Sequence, residues 1–374
     1  MNPRATPFHS RTSALSRFNR WGIRNGFTLP LDFGNASAEA LAARTRVAVG
    51  DISWRARAML EGPSVAEMAA RAFTRDPRNL APGQSLKALW LNDGGAVRGA
   101  GVVSRLASDK FLVASAASDL SWFETAASLS GNIVRDVTNE EGGLSLIGPY
   151  AANVLTTAGL PKDLAPLELR KQFWRGLDVT ITRWGEQDGY ELWCKADDCT
   201  ILWDRIFRAG ADFGIQAMGV AASDVLDVEV GVARPSRDYL AANDGFAPDP
   251  TPASLSLDKL IDVDHAVFNG RIAWLAARET NESVIVGLEL DSEMPAPFCA
   301  ISAGNKIVGT ALTSVYSPAL RRALALARIE KFAVKPDASF TIVPQATLEN
   351  SKPESIAAHV RELPFWRPAS TVVG

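Results

Sequence analysis

The stretch Arg46-Val47-Ala48-Val49-Gly50-Asp51-Ile52-Ser53 decides the fold, because it begins a series of short motifs that follow one another in a fixed order. Each motif is only a few residues long and is weak evidence by itself, so the information lies in their common order. The later motifs are Glu61-Gly62-Pro63, Phe73-Thr74-Arg75-Asp76, Leu80-Ala81-Pro82-Gly83-Gln84, Leu146-Ile147-Gly148-Pro149, Gly189-Tyr190-Glu191, Val228-Glu229-Val230-Gly231, Phe268-Asn269-Gly270-Arg271, Val308-Gly309 and Thr313-Ser314-Val315-Tyr316-Ser317-Pro318.

The composition is that of an ordinary globular protein. The chain has 374 residues, of which 47% are hydrophobic and 22% charged, so it can bury a large core divided between two or three domains. With 39 basic and 42 acidic side chains the net charge is −3, which gives no general attraction to nucleic acid or to anionic lipid. We therefore expect a small-molecule substrate and neither a nucleic-acid nor a membrane partner.

The cysteines and the N-terminal segment bear on the compartment. Three cysteines in a long chain do not make a disulfide framework, and the first 25 residues lack the apolar run of a secretory signal. A cytoplasmic protein is expected. The alternative is an organellar transit peptide, since five arginines and no acidic residue precede Asp32.

Turn and capping signals predict several local elements. Val179–Thr182 and Tyr190–Trp193 form a predicted hairpin, with Glu191 inside its second strand. A helix is predicted between Pro149 and Gly159, and another after Asp197 or Asp198. Ser317-Pro318 followed by Leu320, Leu324 and Ala327 predicts a helix. Further strands are predicted at Val284–Leu290, Ile307–Val315 and Phe340–Val343, and a proline-rich linker at Ala247–Pro252.

Generic chemical motifs do not indicate a function. The glycine-rich stretch from Gly94 to Gly101 predicts a turn and a strand rather than a phosphate-binding loop, because Val102-Val103-Ser104 continues as strand. The three histidines have no metal-ligand spacing, so no metal is expected. Cys194 and Cys199 are predicted to be buried thiols. The ten tryptophans fit core packing or, alternatively, an aromatic pocket for a flat substrate.

Taken together, the collinear motifs resemble the glycine cleavage T-protein (aminomethyltransferase) superfamily, which includes tetrahydrofolate-dependent demethylases. The resemblance implies an α+β, three-domain clover-leaf fold with a β-rich C-terminal domain and a central folate site. It further implies a discontinuous first domain at 1–50 and 140–245, a second at 51–139, a linking segment at 246–275 and a C-terminal domain at 276–374.

The resemblance also implies cofactor-binding residues. Glu191 matches the family glutamate that pairs with the pterin ring, and a carboxylate can accept two parallel N–H bonds from that ring. Tyr190 is its neighbour in the matching strand. The loop before it is two residues shorter than in the family and lacks a tyrosine, and Trp184 or Glu186 is expected to occupy some of that space.

Two departures from the family pattern concern catalysis. An Asp-Asp pair common in the family aligns with Gly99 and Ala100, and neither residue can balance charge or move a proton. An arginine that helps to hold folate in many relatives aligns with Ser223. Arg98, Tyr239 and Asp51 are the candidate catalytic residues in segments that resemble pocket walls, although solvent-facing or structural roles are equally consistent with the sequence.

Three functions follow from these observations. The first is a tetrahydrofolate-dependent demethylase or one-carbon transferase acting on an amine, sulfonium or methoxy-aromatic substrate. The second is a folate-independent lyase that releases formaldehyde from a hydroxymethyl-bearing substrate and uses the former folate cavity. The third is a non-catalytic assembly factor, which the absence of cysteine from Val267–Arg271 disfavours. The sequence leaves the oligomeric state open.

Overall fold

A computed structural model describes residues 3–128, 130–184, 188–241, 250–292, 299–335, 338–343 and 355–368. The helices are α1 His9–Leu15, α2 Ala36–Thr45, α3 Val65–Ala72, α4 Leu120–Ser128, α5 Ala151–Ala158, α6 Cys199–Gly210, α7 Val220–Glu229 and α8 Arg271–Thr280. Within these ranges, no helix has both the length and the apolar character needed to cross a membrane.

The strands are β1 Arg4–Ala5, β2 Trp21–Arg24, β3 Phe27–Pro30, β4 Val47–Asp51, β5 Ala56–Glu61, β6 Ser85–Leu91, β7 Val97–Ala107, β8 Lys110–Ser115, β9 Ile133–Asp136, β10 Glu141–Ile147, β11 Leu169–Trp174, β12 Leu177–Trp184, β13 Gly189–Lys195, β14 Ile215–Met218, β15 Ser283–Leu290, β16 Ala300–Ala303, β17 Lys306–Ser317, β18 Arg322–Glu330, β19 Ser339–Val343 and β20 Ile356–Arg361.

A six-stranded sheet in the order β11-β12-β13-β10-β4-β14 brings together strands that are far apart in the sequence. One face packs on α5 and α6 through Leu144, Leu146, Leu192 and other fully buried apolar residues. The predicted hairpin is confirmed as β12 and β13, and the register pairs Thr182 with Glu191. Residues 185–187 of its loop, including Glu186, lie outside the described residues.

A five-stranded antiparallel sheet in the order β6-β7-β8-β5-β9 packs against α3 and α4. The turn predicted at Asp93-Gly94-Gly95 is confirmed, since β6 ends at Leu91 and β7 begins at Val97. Tyr239, Leu255, Phe268 and Trp274 cover the other side of this sheet by packing on Leu89, Leu91 and Val97. Residues 247–249 of the predicted linker lie outside the described residues.

The last part of the chain is a closed six-stranded barrel in the order β15-β18-β17-β16-β19-β20, which confirms the predicted β-rich C-terminal domain. The strands predicted at Val284–Leu290, Ile307–Val315 and Phe340–Val343 are all present. α7 packs against the outside of the barrel, where Val228 contacts the cluster that contains Leu324 and Leu326.

The helix predicted after Ser317 is wrong, because the chain turns there and returns as β18. Arg321 adopts a left-handed conformation with φ 56°, and the Ser317 hydroxyl accepts the Leu320 N–H at 3.1 Å within the turn. Ala323, Ala325 and Ala327 then fill the barrel interior while Leu324 and Leu326 face α7. An apolar run that is buried on both faces does not distinguish strand from helix by periodicity.

The two predicted helices in the first half of the chain are confirmed. α5 ends at Gly159, which adopts φ 78°, a conformation that glycine reaches without strain. α6 begins directly after Asp198 and ends at Gly210, with Leu202 and Ile206 buried. Asp198 makes no side-chain capping bond. The helix therefore begins where predicted, but without the capping hydrogen bond on which the prediction was based.

Candidate active site

The candidate site lies on the face of the six-stranded sheet opposite α5 and α6. Ser145 pairs with both Gly50 and Glu191, so these residues form one row across β4, β10 and β13. A narrow cleft, partly open to solvent, lies in front of the Gly50 and Ser145 end of this row, and Glu191 is not among the residues that line it. Its walls include Gly50, Ser145, Arg24, Trp54 and Ser223.

Glu191 is buried in this face, with 7% of its surface exposed. Its Oε1 forms an ion pair with the guanidinium of Arg55, and its Oε2 accepts the indole N–H of Trp193 at 3.1 Å. Trp193 lies two residues further along the same strand and therefore faces the same side. Both carboxylate oxygens already have a protein donor.

A second arginine, Arg57, packs beside Trp193 near Glu191. Arg57 is 5% exposed and lies over the Trp193 ring, with 3.9 Å from its guanidinium carbon to the ring centroid. It also pairs with Glu141 at 2.7 Å. Burial lowers the Arg57 pKa, while the charges of Glu141 and Glu191 act in the opposite sense. Arg57 is therefore a further positive charge close to Glu191.

The beginning of the cleft carries an arginine that sequence reasoning missed. The side chain of Arg24 reaches Asp224 at 2.6 Å and lies 5.3 Å from the centroid of the Trp54 ring. Arg24 and Ser223 both line the cleft. A guanidinium from β2 thus lies near Ser223, the residue predicted to align with a family arginine. The arginine-rich N-terminal segment was the only signal for it, and there it suggested a transit peptide.

Asp224 belongs to a cluster of ion pairs at the end of α7. Arg237 contacts Asp224 at 2.9 Å and Asp238 at 2.6 Å, and Arg234 pairs with Asp227. The three carboxylates and two arginines are largely buried. Because each charge has a partner, the cluster holds the segment after α7 in place and does not form an open anion site.

The three predicted catalytic residues have separate surroundings. The guanidinium of Arg98 donates two bonds to Asp119, at 2.9 and 2.6 Å, and lies 4.7 Å from the centroid of the Trp122 ring. Asp119 also accepts the Trp90 indole N–H at 2.9 Å. Arg98 is therefore held by a buried carboxylate and is not directed to solvent.

Asp51 accepts bonds from the Thr6 hydroxyl at 2.6 Å and from the Ser53 N–H at 2.9 Å. Burial raises its pKa, and these hydrogen bonds lower it in part. Strand alternation turns Asp51 to the same face as Val49, whereas Glu191 lies in the row of Gly50. Asp51 is among the residues that line the cleft, but its carboxylate and that of Glu191 face opposite sides of the sheet.

Tyr239 is packed in the apolar cluster beside β6 and β7. Its hydroxyl is buried and has no hydrogen-bond partner among the described residues. Burial and the charge of Asp238 raise the Tyr239 pKa, so the phenol keeps its proton at neutral pH. Ala100, one of the two residues predicted to align with the family Asp-Asp pair, packs against the same cluster.

Gly99, the other residue predicted to align with that pair, packs closely against Trp90. A Cβ placed on Gly99 would lie 2.2 Å from Cζ2 of Trp90, which is far inside van der Waals contact. Trp90 is 1% exposed and packs with Phe73 and Phe123. The indole thus takes the space that an aspartate at this position would need.

Tyr190 and Trp184 differ from Glu191 in their placement. The Tyr190 ring lies in the core against α5, and its hydroxyl donates to the Lys162 carbonyl at 2.9 Å. Tyr190 therefore faces the side of the sheet opposite Glu191, because neighbouring residues of a strand face opposite sides, and its part in cofactor binding stays a prediction. Trp184 ends β12 and pairs with Gly189 through its backbone, and its side chain lies outside the described part.

The buried thiols were predicted correctly. Cys194 and Cys199 are 1% and 0% exposed, and their sulfur atoms are 3.7 Å apart. Cys194 faces the α5 and α6 core, as Tyr190 does, so neither thiol reaches the cleft. Burial and the neighbouring thiol raise the Cys199 pKa, which keeps it in its unreactive protonated form.

Comparisons with known proteins agree with the resemblance found in the sequence. The aminomethyltransferase of Frankia alni is 29% identical over 327 residues, which cover 83% of this chain and 86% of that protein. That of Geobacillus kaustophilus is 26% identical over 376 residues, or 96% and 99% of the two chains.

The crystal structure of the glycine cleavage system aminomethyltransferase T from Bartonella henselae matches with a TM-score of 0.85 at 23% identity, covering 97% of this chain and 98% of that one. This confirms the predicted fold. A family model described as the GCVT N-terminal domain matches residues 10–264, which is more than half of the chain. The chain therefore belongs to the GCVT family of aminomethyltransferase-like proteins.

Proposed function

We propose that this protein is a tetrahydrofolate-dependent enzyme that removes a one-carbon unit from a small substrate. The observation that carries the proposal is the buried Glu191 carboxylate, held on the cleft side of β13 in a fold shared with aminomethyltransferases. A buried carboxylate is costly unless it is paired and hydrogen-bonded. At this place the carboxylate can accept the N–H groups of a pterin edge, and this favours binding of a folate over ligands without such donors.

The residues fit a folate in part. Glu191 would accept the two N–H groups of the pterin edge, and the indole of Trp193 would fix the direction of that carboxylate. Tetrahydrofolate, when bound, supplies the acceptor for the one-carbon unit. The Arg55 guanidinium already contacts Glu191, so the pocket as described is not open to the pterin until that side chain turns away.

For the substrate we propose a small methoxy- or hydroxymethyl-bearing aromatic compound. Trp54 is an aromatic residue in the wall of the cleft, and the Arg24 guanidinium lies beside its ring. Such a pair suits a flat ring with polar substituents.

Glu191→Ala is expected to abolish saturable binding of tetrahydrofolate, because the variant loses the carboxylate that accepts the pterin N–H groups. Titration calorimetry with the wild type and the variant measures this directly. Glu140→Ala serves as the control, since Glu140 is an exposed glutamate paired with Arg135, and we expect unchanged binding. Absence of binding by the wild-type protein would contradict the proposed function.

A folate-independent lyase is the second candidate, and the contact between Gly99 and Trp90 favours it. The indole blocks the return of an acid at this position, and a carbon released as formaldehyde needs no folate acceptor. If this alternative is correct, purified protein free of folate releases formaldehyde from a hydroxymethyl-bearing aromatic substrate, as a colorimetric assay can show. Formaldehyde release that strictly requires added folate would rule the lyase out.

A further inference from the structure

Arg55 forms an ion pair with Glu191. Arg55 follows the end of β4, where its own N–H bonds to the Ile52 carbonyl at 3.1 Å, and its side chain is 18% exposed against 9% for that of Glu191. The outer partner of the pair is thus the arginine. The inner side of the carboxylate is engaged by the Trp193 indole.

The chemistry of the arginine side chain resembles that of the ligand it blocks. A guanidinium presents N–H donors on a planar N–C–N unit, in a fork that matches a carboxylate. The 2-amino-4-oxo edge of a pterin presents its 2-amino and ring N–H groups on the same N–C–N unit. One of the Glu191 oxygens already has the Trp193 donor, so guanidinium and pterin require the same remaining edge of the carboxylate.

We propose that Arg55 competes with the pterin ring for Glu191 and thereby sets the selectivity of this site against folate. The inference rests on the proposed function, since it concerns the same carboxylate. Departure of Arg55 does not leave Glu191 without a positive neighbour, because Arg57 remains buried nearby and its charge interacts with Glu191. A pterin edge can then take the place of the Arg55 guanidinium.

Arg55→Met is expected to tighten tetrahydrofolate binding by tenfold or more, because methionine keeps the apolar stem and removes the competing donors. Arg55→Lys is expected to give a smaller gain, since an ammonium group lacks the planar fork. Arg11→Met is the control: Arg11 also pairs with a carboxylate, donating two bonds to Asp204 at 2.7 Å each, but on an exposed surface. We expect its affinity to equal that of the wild type.

A folate analogue without the 2-amino group tests the chemical basis. Its gain in affinity on Arg55→Met is expected to be smaller than that of tetrahydrofolate, because it keeps only one of the two donors that compete with the guanidinium. Equal gains for both ligands would show that Arg55→Met merely widens the cleft and would overturn the proposal. Should Arg55→Met fail to fold, as circular dichroism would reveal, Arg55→Lys decides the question, and no gain in that variant contradicts the competition.

The outcomes separate this inference from the proposed function. Wild-type binding that Arg55→Met does not improve overturns the competition and leaves the folate function intact. Binding seen only in Arg55→Met supports the competition and contradicts folate dependence of the natural protein. If no folded variant binds tetrahydrofolate, both proposals are wrong.

Discussion

Glu229→Ala is expected to lower the free energy of unfolding by about 3–5 kcal/mol, the range measured when one partner of a buried ion pair is removed. Glu229 is fully buried at the end of α7, where it accepts the Arg44 Nε–H at 2.7 Å and the Ser317 hydroxyl at 2.6 Å. Arg44 is 3% exposed. Its desolvated guanidinium would lose its main counterion, and burial already lowers the Arg44 pKa.

This network joins the six-stranded part of the protein to the barrel. Ser317 ends β17, and the Trp366 N–H bonds to the Glu229 carbonyl at 2.9 Å while its ring lies 3.6 Å from the Arg44 guanidinium. The loss should therefore weaken the attachment of the barrel as well as the stability of α7. Ser317→Ala tests the link from the other side with a smaller change, since only one hydrogen bond is lost.

Urea unfolding followed by tryptophan fluorescence measures these effects. Glu140→Ala again provides the control, because an exposed ion pair such as that with Arg135 contributes less than about 1 kcal/mol. If Glu229→Ala and Glu140→Ala unfold at the same urea concentration, the buried network does not stabilise the protein as we infer.

Gly99→Ala is expected to destabilise the protein by about 1–3 kcal/mol, the usual cost of overpacking a core. The added methyl group would meet the Trp90 ring at 2.2 Å, and the ring has little room to move because Phe73 and Phe123 lie against it. Gly99→Asp is expected to cost more, since it adds a carboxylate in the same confined space. Restoring the family acid here therefore should not restore its chemistry.

The second alignment position supplies the comparison. Ala100 is partly exposed, so Ala100→Asp should leave the urea midpoint much closer to that of the wild type. In a Trp90→Phe background, Gly99→Ala is expected to cost less stability than in the wild type, because the smaller ring releases the contact. A Gly99→Ala protein as stable as the wild type would refute the steric explanation.

The sequence by itself determined the family, the α+β class and the hairpin that carries Glu191. These features depend on the order of local motifs and on short-range turn chemistry. Neither depends on which distant residues pack together in the fold. The helix expected after Ser317 shows the limit of such local information. An apolar run is compatible with helix or strand, and the choice depends on what its two faces pack against, here the barrel interior and α7.

Only the tertiary structure decided which charges meet. Arg24 and Asp224 are 200 positions apart, and Arg55 and Glu191 are 136 apart, so neither pair leaves a pattern in the sequence. Tyr190 and Glu191 show the converse, because adjacent residues of one strand face opposite sides. A carboxylate's role depends on which donors reach it through space, and the arrangement of β4, β10 and β13 sets that for Glu191.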